Sequence, residues 1–464
     1  MEAAVKDKNM MELETEPVSR LLIKYSLPAI AGMVVYSLYN VVDSIFIGRW
    51  VGADALSGLA IAFPIMTLTF ALGTLIGIGG ASVCSIRLGE NNLDAAHRVL
   101  GNVFVMSIIL GIAFGWSANV FLDEILTAFG ASAATLPPAH DFMQITLAAL
   151  PLTFLFFNLN HVMRASGYPR KAMLTTMFSV CVNIVLAPIF INLFGWGMRG
   201  AALATMFAQI VGVSWVFAHF FRASSTLHFM RGIFALSAGT IKSIVSIGLS
   251  PCIMNALSCA VVVVINHALL RNGGDMAVGA HGILSRILIL IAMVVIGITQ
   301  GMQPVIGYNH GAGKTSRVRE TLRYGISAGA IVTTLGAAAC VISPSLISHM
   351  FTKDGALLAI SDEALRYGCL GLPLVGPQVV IGNFFQALGR AKISIFISTT
   401  RQALFLIPLL LTLPHFFGRV GVWFSLPIAD VSAFVLSVFM LVRFLKTYSA
   451  VPADLAGEKA RKSL

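Results

Sequence analysis

Two carboxylates in this sequence stand where carboxylates are costly to place. Of its 20 acidic residues, only Asp43, in YSLYNVVDSIFIG, and Asp430, in SLPIAD, fall well inside long apolar stretches. An ionised side chain at mid-bilayer costs about 2.5–3.5 kcal/mol even on insertion scales, so an acid there marks a functional site by default. Asn40 lies three residues before Asp43 and Tyr39 four before, spacings that share one helix face. A carboxylate, an amide and a phenol on one face can hold a sodium ion or accept a proton. The competing reading is a hydrogen bond between helices. Pro427 frees a backbone carbonyl near Asp430. Asp430 with the neutral polar Asn266 and Gln303 forms a candidate second polar site, with a packing role as the equal alternative. Asn183 and Thr205 also offer oxygen ligands, although single residues of this kind more often join helices. Arg286 and Arg401, inside apolar stretches, are expected to snorkel or to pair.

These residues need a membrane around them, and composition supplies it. The 464 residues are 57% hydrophobic and 11% charged, with mean hydropathy +0.87. A soluble domain carries roughly 25% charged residues. Apolar runs long enough to span a bilayer lie at 22–47, 59–84, 100–121, 142–163, 173–194, 200–221, 246–270, 277–306, 324–349, 365–388, 395–417 and 421–444. They are too long and too continuously apolar for barrel strands, so twelve transmembrane helices are expected. The polar start, Met1 to Arg20, carries no cleavable signal pattern. Net charge is +11, yet nucleic acid is not the expected partner. With the N-terminus inside, 23 of the 31 Lys and Arg fall on the cytoplasmic side, which predicts cytoplasmic termini in a plasma (inner) membrane. The six cysteines have neither zinc nor disulfide spacing and read as small apolar side chains.

The chain also repeats itself. Pro28 falls opposite Pro251, and Asp43 opposite Asn266, at an offset of 223. RLGENNLDAAHRVL (87–100) matches NHGAGKTSRVRETL (309–322), and RASGYPRKA (164–172) matches QALGRAKIS (386–394). GAALATMFAQ (200–209) matches GVWFSLPIAD (421–430). Four matches in order indicate an internal duplication. The fold expected is an all-α integral membrane protein: two six-helix bundles related by a pseudo-two-fold axis along the membrane normal. Its parts would be a cytoplasmic tail (1–21), an N-lobe (22–221), a cytoplasmic linker (222–245), a C-lobe (246–444) and a C-terminal tail (445–464). Two such bundles rocking about a cleft would give alternating access. No GxxxxGK[ST] loop is present, so an ion gradient is the expected energy source. No nucleophile–base or metal constellation suggests an enzyme, and no cofactor is expected.

SLPAIAGMVVYSLYNVVDSIFIGRWVGADALSGLAI (26–61), RASGYPRKAM (164–173), GMRGAALAT (197–205), GMQPVIGYNHGAGK (301–314), QALGRAK and GVWFSLPIAD together carry a likeness. Through them the chain resembles the multidrug and toxic-compound extrusion (MATE) family, in its bacterial branches, over nearly its whole length. The resemblance implies an antiporter that exports small organic cations in exchange for protons or sodium. It implies a coupling-ion site at Asp43, Tyr39, Asn183 and Thr205, with any sodium ion held at Asp43, and a hinge at Pro28. One departure stands out: where the family site often has a second Asp, four residues after the helix-five Asn, this chain has Ala187. Less negative charge should weaken sodium binding. Nor do helices seven (PCIMNALSCAVVVVINHALL) and ten (PLVGPQVVIGNFFQALG) carry the acids of another branch.

Two alternatives differ in what the interior must hold. A lipid-linked saccharide flippase of the wider superfamily would need several cations around a phosphate, whereas only Arg286 and Arg401 lie within spans. A non-transporting membrane protein would need neither the duplication nor the intramembrane acid. The partners expected are small organic cations and the lipid bilayer, for a monomer.

Overall fold

A computed structural model of the protein describes residues 8–449 apart from Ser224, and the side chains among them except those of Lys8, Asn9, Asn40, Ala53 and Ser449. Every regular element among these residues is helical. Eight helices are individually long and apolar enough to cross a membrane, and two bent pairs qualify when each is taken as one span. Two of the eight, Ala238–Gly311 and Ala391–Tyr448, each contain a break, at Gly274 (φ 64°) and Gly418 (φ 56°). Glycine adopts this left-handed backbone without a Cβ clash, so the chain can reverse there with no longer loop. Dividing the helices at these breaks gives the twelve expected spans.

The spans run beyond the apolar runs that signal them. The fourth is Leu136–Ala148 followed by Leu150–Ala165, bent by 56°, and the tenth is Gly355–Gly368 followed by Leu372–Ala387, bent by 52°. Each bend is followed by Leu-Pro, at Pro151 and Pro373, which are 222 residues apart. Proline has no N–H for the preceding turn and crowds its carbonyl, so the helix bends there in both halves. The added first turns carry His140 and Asp141 in one half and Asp362 and Glu363 in the other. Polar residues end an apolar run without ending a helix, so hydropathy drew these spans too short.

The described residues form two compact units. One comprises residues up to 15 together with 31–248, the other 16–30 together with 249 onward. The first span, Val18–Trp50, therefore changes unit between Ile30 and Ala31, two residues after Pro28. The seventh span changes between Gly248 and Leu249, three residues before Pro251. Within the first unit, a Cβ on Gly248 would overlap the Leu75 carbonyl oxygen, and one on Gly79 would overlap that of Ile244. Within the second, Cβ atoms on Gly297 and Gly301 would lie 2.6 Å from Ile30 Cα and 2.5 Å from Ser26 Cα. Gly79 and Gly301 are again 222 residues apart, as are Ser26 and Gly248. The duplication thus extends to backbone contacts that only glycine permits.

Candidate functional site

The first unit gathers three of the predicted residues around one hydroxyl. Tyr39 Oη lies 2.9 Å from Thr205 Oγ1, and Asn183 Nδ2 donates to the same oxygen at 3.2 Å. Thr205 Oγ1 donates its own proton to the Ala201 carbonyl at 3.3 Å, one turn back on its helix. A threonine hydroxyl has one proton and two lone pairs. With its proton committed and Asn183 on one lone pair, the other receives the Tyr39 O–H. Spans one, five and six are pinned at this atom, and Thr205 Oγ1 is saturated.

A cavity of about 30 Å³ adjoins this node, bounded by Tyr36, Tyr39, Phe157, Asn183, Thr205 and Gln209 among others. A water needs roughly 10–15 Å³ of such volume and several polar partners, so the space suits a water or a small ion. Thr153 Oγ1 donates to Gln209 Oε1 at 2.8 Å, fixing that side chain. Tyr36 meets Phe157 edge-on at 5.5 Å and Tyr39 at 6.0 Å, an aromatic wall on the same face.

Asp43 stands one helical turn past Tyr39 and does not line that cavity. It is 7% exposed, and its Oδ1 is buried with no hydrogen-bond partner among the described residues. The third residue predicted on this face, Asn40, has a side chain outside the described residues. Ala187, where a second acid was noted as missing, is 0% exposed and packs in an apolar cluster with Ile47 and Ala62. The group around Asp43 thus has one carboxylate, and no group of three His, Cys, Asp or Glu able to hold a metal forms among the described residues.

The second unit treats its acid differently. Arg401 Nε donates to Asp430 Oδ1 at 2.5 Å, with the carboxylate side chain 4% exposed. Arg401 sits in a π-helical segment, Thr400–Leu406, within the eleventh span. Gly371 makes room for the carboxylate, since a Cβ there would lie 2.7 Å from Asp430 Oδ2. Next to Arg401, Gln402 Nε2 donates to Ser258 Oγ at 2.7 Å, joining spans eleven and seven. Asp430 makes no hydrogen bond to Asn266 or Gln303 among the described residues, so these three do not converge through it. Of the two intramembrane arginines, Arg401 is the one found in a pair. Arg286 is exposed and has no ion pair among the described residues.

Residue types alone did not single out Tyr36, Gln209 or Thr153, nor the pairing of Arg401 with Asp430. A signal existed for two of them. Tyr36 precedes Tyr39 by three residues, one helix face, and Gln209 is the repeat counterpart of Asp430 in the aligned segments 200–209 and 421–430.

Comparison with known proteins agrees over almost the full length. The MatE family model matches residues 28–189 and 246–412. The multidrug export protein MepA of Staphylococcus haemolyticus is 26% identical over 437 residues, 94% of this chain and 96% of that protein. MepA of Staphylococcus aureus strain MRSA252 is 26% identical over 448 residues, covering 95% and 97%. Among solved structures, a complex of the MATE multidrug transporter DinF-BH is 36% identical, with a TM-score of 0.86 over 92% of this chain and 96% of that one. A Pyrococcus furiosus transporter of the MOP superfamily, at 22% identity and a TM-score of 0.90, shares the fold over 96% of this chain and 99% of that one.

Proposed function

The chain belongs to the MATE family of multidrug efflux transporters, and from that premise we propose that it exchanges organic cations for protons, by alternating access, with Asp43 as the coupling acid. It is a transporter and not an enzyme, and MATE transporters need no cofactor. The observation that carries the reading is Asp43 itself: a buried carboxylate whose Oδ1 has no partner among the described residues. A buried lone charge is unfavourable until a cation or a proton meets it. An exchanger needs a group that is stable when loaded and unstable when empty, and that reacts to either of two cations.

Proton is preferred over sodium because the site holds one carboxylate. A proton needs a single oxygen, whereas a metal cation is shared among several. Ala187 removes a second acid, and the Thr205 hydroxyl is already saturated by Tyr39, Asn183 and Ala201. Tyr39, Asn183 and Thr205 then hold the first span in the register that aims Asp43, and Pro28 is its hinge. The relatives' names support the cargo: multidrug export for MepA, and multidrug transporter for DinF-BH. The lobes would be 22–221 and 246–444, joined by a cytoplasmic linker at 222–245. Both termini would face the cytoplasm, and the monomer would work in the inner membrane.

The test is flux in liposomes holding the purified full chain. Ethidium uptake driven by an imposed proton gradient, and unmoved by a sodium gradient, is the expected result. Uptake driven by sodium alone would replace the ion in this reading. Absence of flux under both gradients would contradict the antiport itself.

A further inference from the structure

A second cavity, unrelated to Asp43, lies within the second unit between the ninth span, Thr315–Ile342, and the end of the last. It measures about 510 Å³ and divides by chemistry along its length. At its mouth are Arg319 and Arg323, one turn apart on the ninth span, and Lys446 on the last. Arg319 is four residues from the start of its helix, and Lys446 is three from the end of its own at Ser449, so the cations mark one membrane boundary. Leu322 lies between the two arginines in sequence, and beyond them along both helices the walls are mainly apolar, with Ile326, Leu441 and Val442 beside Ser327. Arg319 Nη2 reaches across to the Leu445 carbonyl at 3.4 Å. Glu320, the acid between the two arginines in sequence, does not line the groove.

Three cations over an apolar cleft at the membrane boundary match one molecule in charge and in shape. We propose that this groove binds an anionic phospholipid, with its phosphate on Arg319, Arg323 and Lys446 and one acyl chain along Ile326 and Val442. A guanidinium pair presents N–H groups in the fork geometry that phosphate oxygens accept. Basic pockets between helices at the cytoplasmic boundary recognise lipid head groups in this way, and the cytoplasmic leaflet is the anionic one. The orientation proposed above puts this end of the helices there. A zwitterionic lipid offers the same chains but adds a cation that the mouth would repel, and a free phosphate would leave the apolar walls unused.

The experiment is native mass spectrometry of the detergent-purified full chain, titrated with phosphatidylglycerol, with phosphatidylcholine of the same chains, and with glycerol phosphate. Phosphatidylglycerol should bind about tenfold tighter than phosphatidylcholine, and glycerol phosphate far more weakly than either. Each cation removed near a membrane surface should weaken binding about fivefold, so the R319A/R323A/K446A variant should lose roughly a hundredfold. A control with three basic residues removed elsewhere, R170A/R222A/R231A, should stay within about twofold of wild type, because diffuse surface charge adds little to a defined site. Ser327 also lines the groove, and Ser327→Trp should block the site without changing charge. Equal losses in the two triple variants would overturn the proposal, as would unchanged binding in Ser327→Trp. Glycerol phosphate binding as tightly as the lipid would show a free-phosphate site and overturn it too.

Discussion

At Thr205 a single hydroxyl meets three partners, Tyr39, Asn183 and Ala201. Thr205→Val keeps the shape and strands the first two in apolar surroundings. Each stranded polar group costs about 1–3 kcal/mol, so the variant should melt earlier in detergent and transport slower with Asp43 intact. Full stability would show that the node is not holding the three spans. The Arg401–Asp430 pair allows a sharper contrast. Arg401→Gln leaves a buried acid uncompensated and should cost about 3–5 kcal/mol, read by thermal unfolding. R401Q/D430N removes both charges and should recover most of that loss. A double variant no more stable than the single would show that Arg401 contributes by packing rather than charge. Asp43 and Asp430 were legible in the sequence because an acid inside an apolar run is rare. Tyr39 was legible because one turn of helix joins it to Asp43. The Arg401–Asp430 pairing was not: its members are 29 residues apart on different spans, and helical spacing says nothing across a loop.

At the scale of elements, the first and seventh spans each change unit beside a proline, at Pro28 and Pro251. A helix lacks a backbone hydrogen bond at proline and bends there with less resistance. Pro251→Ala should therefore slow ethidium flux several-fold while leaving equilibrium ethidium binding intact, as expected for a hinge. Equal loss of binding and flux would instead mark Pro251 as a packing residue. The glycine contacts test the same elements from the other side. A Cβ at Gly248 meets backbone and not a flexible side-chain tip, so Gly248→Val should cost about 1–3 kcal/mol through overpacking. A melting temperature equal to wild type would contradict the close approach to Leu75. The pairing of Pro28 with Pro251 was visible in the aligned halves. The change of unit at residues 30 and 248 was not, because it depends on which helices pack together, and no local pattern encodes that.

At the scale of the whole molecule, twelve spans and the duplication were readable, since each is a property of long stretches rather than of single contacts. The bilayer requires helices of a minimum length, and that requirement writes itself into composition. Span ends were less readable, because helix continues through His140, Asp141, Asp362 and Glu363 after the apolar signal stops. Coupling is also a whole-molecule property: an ion gradient does work only if the loaded and empty forms favour different conformations. The most direct test compares wild type, Asp43→Asn and Asp430→Asn in liposomes under an imposed proton gradient. Asp43→Asn should abolish gradient-driven ethidium flux while still binding ethidium, and Asp430→Asn should retain flux once corrected for folded protein. Undiminished gradient-driven flux in Asp43→Asn would contradict the assignment of Asp43 as the coupling acid.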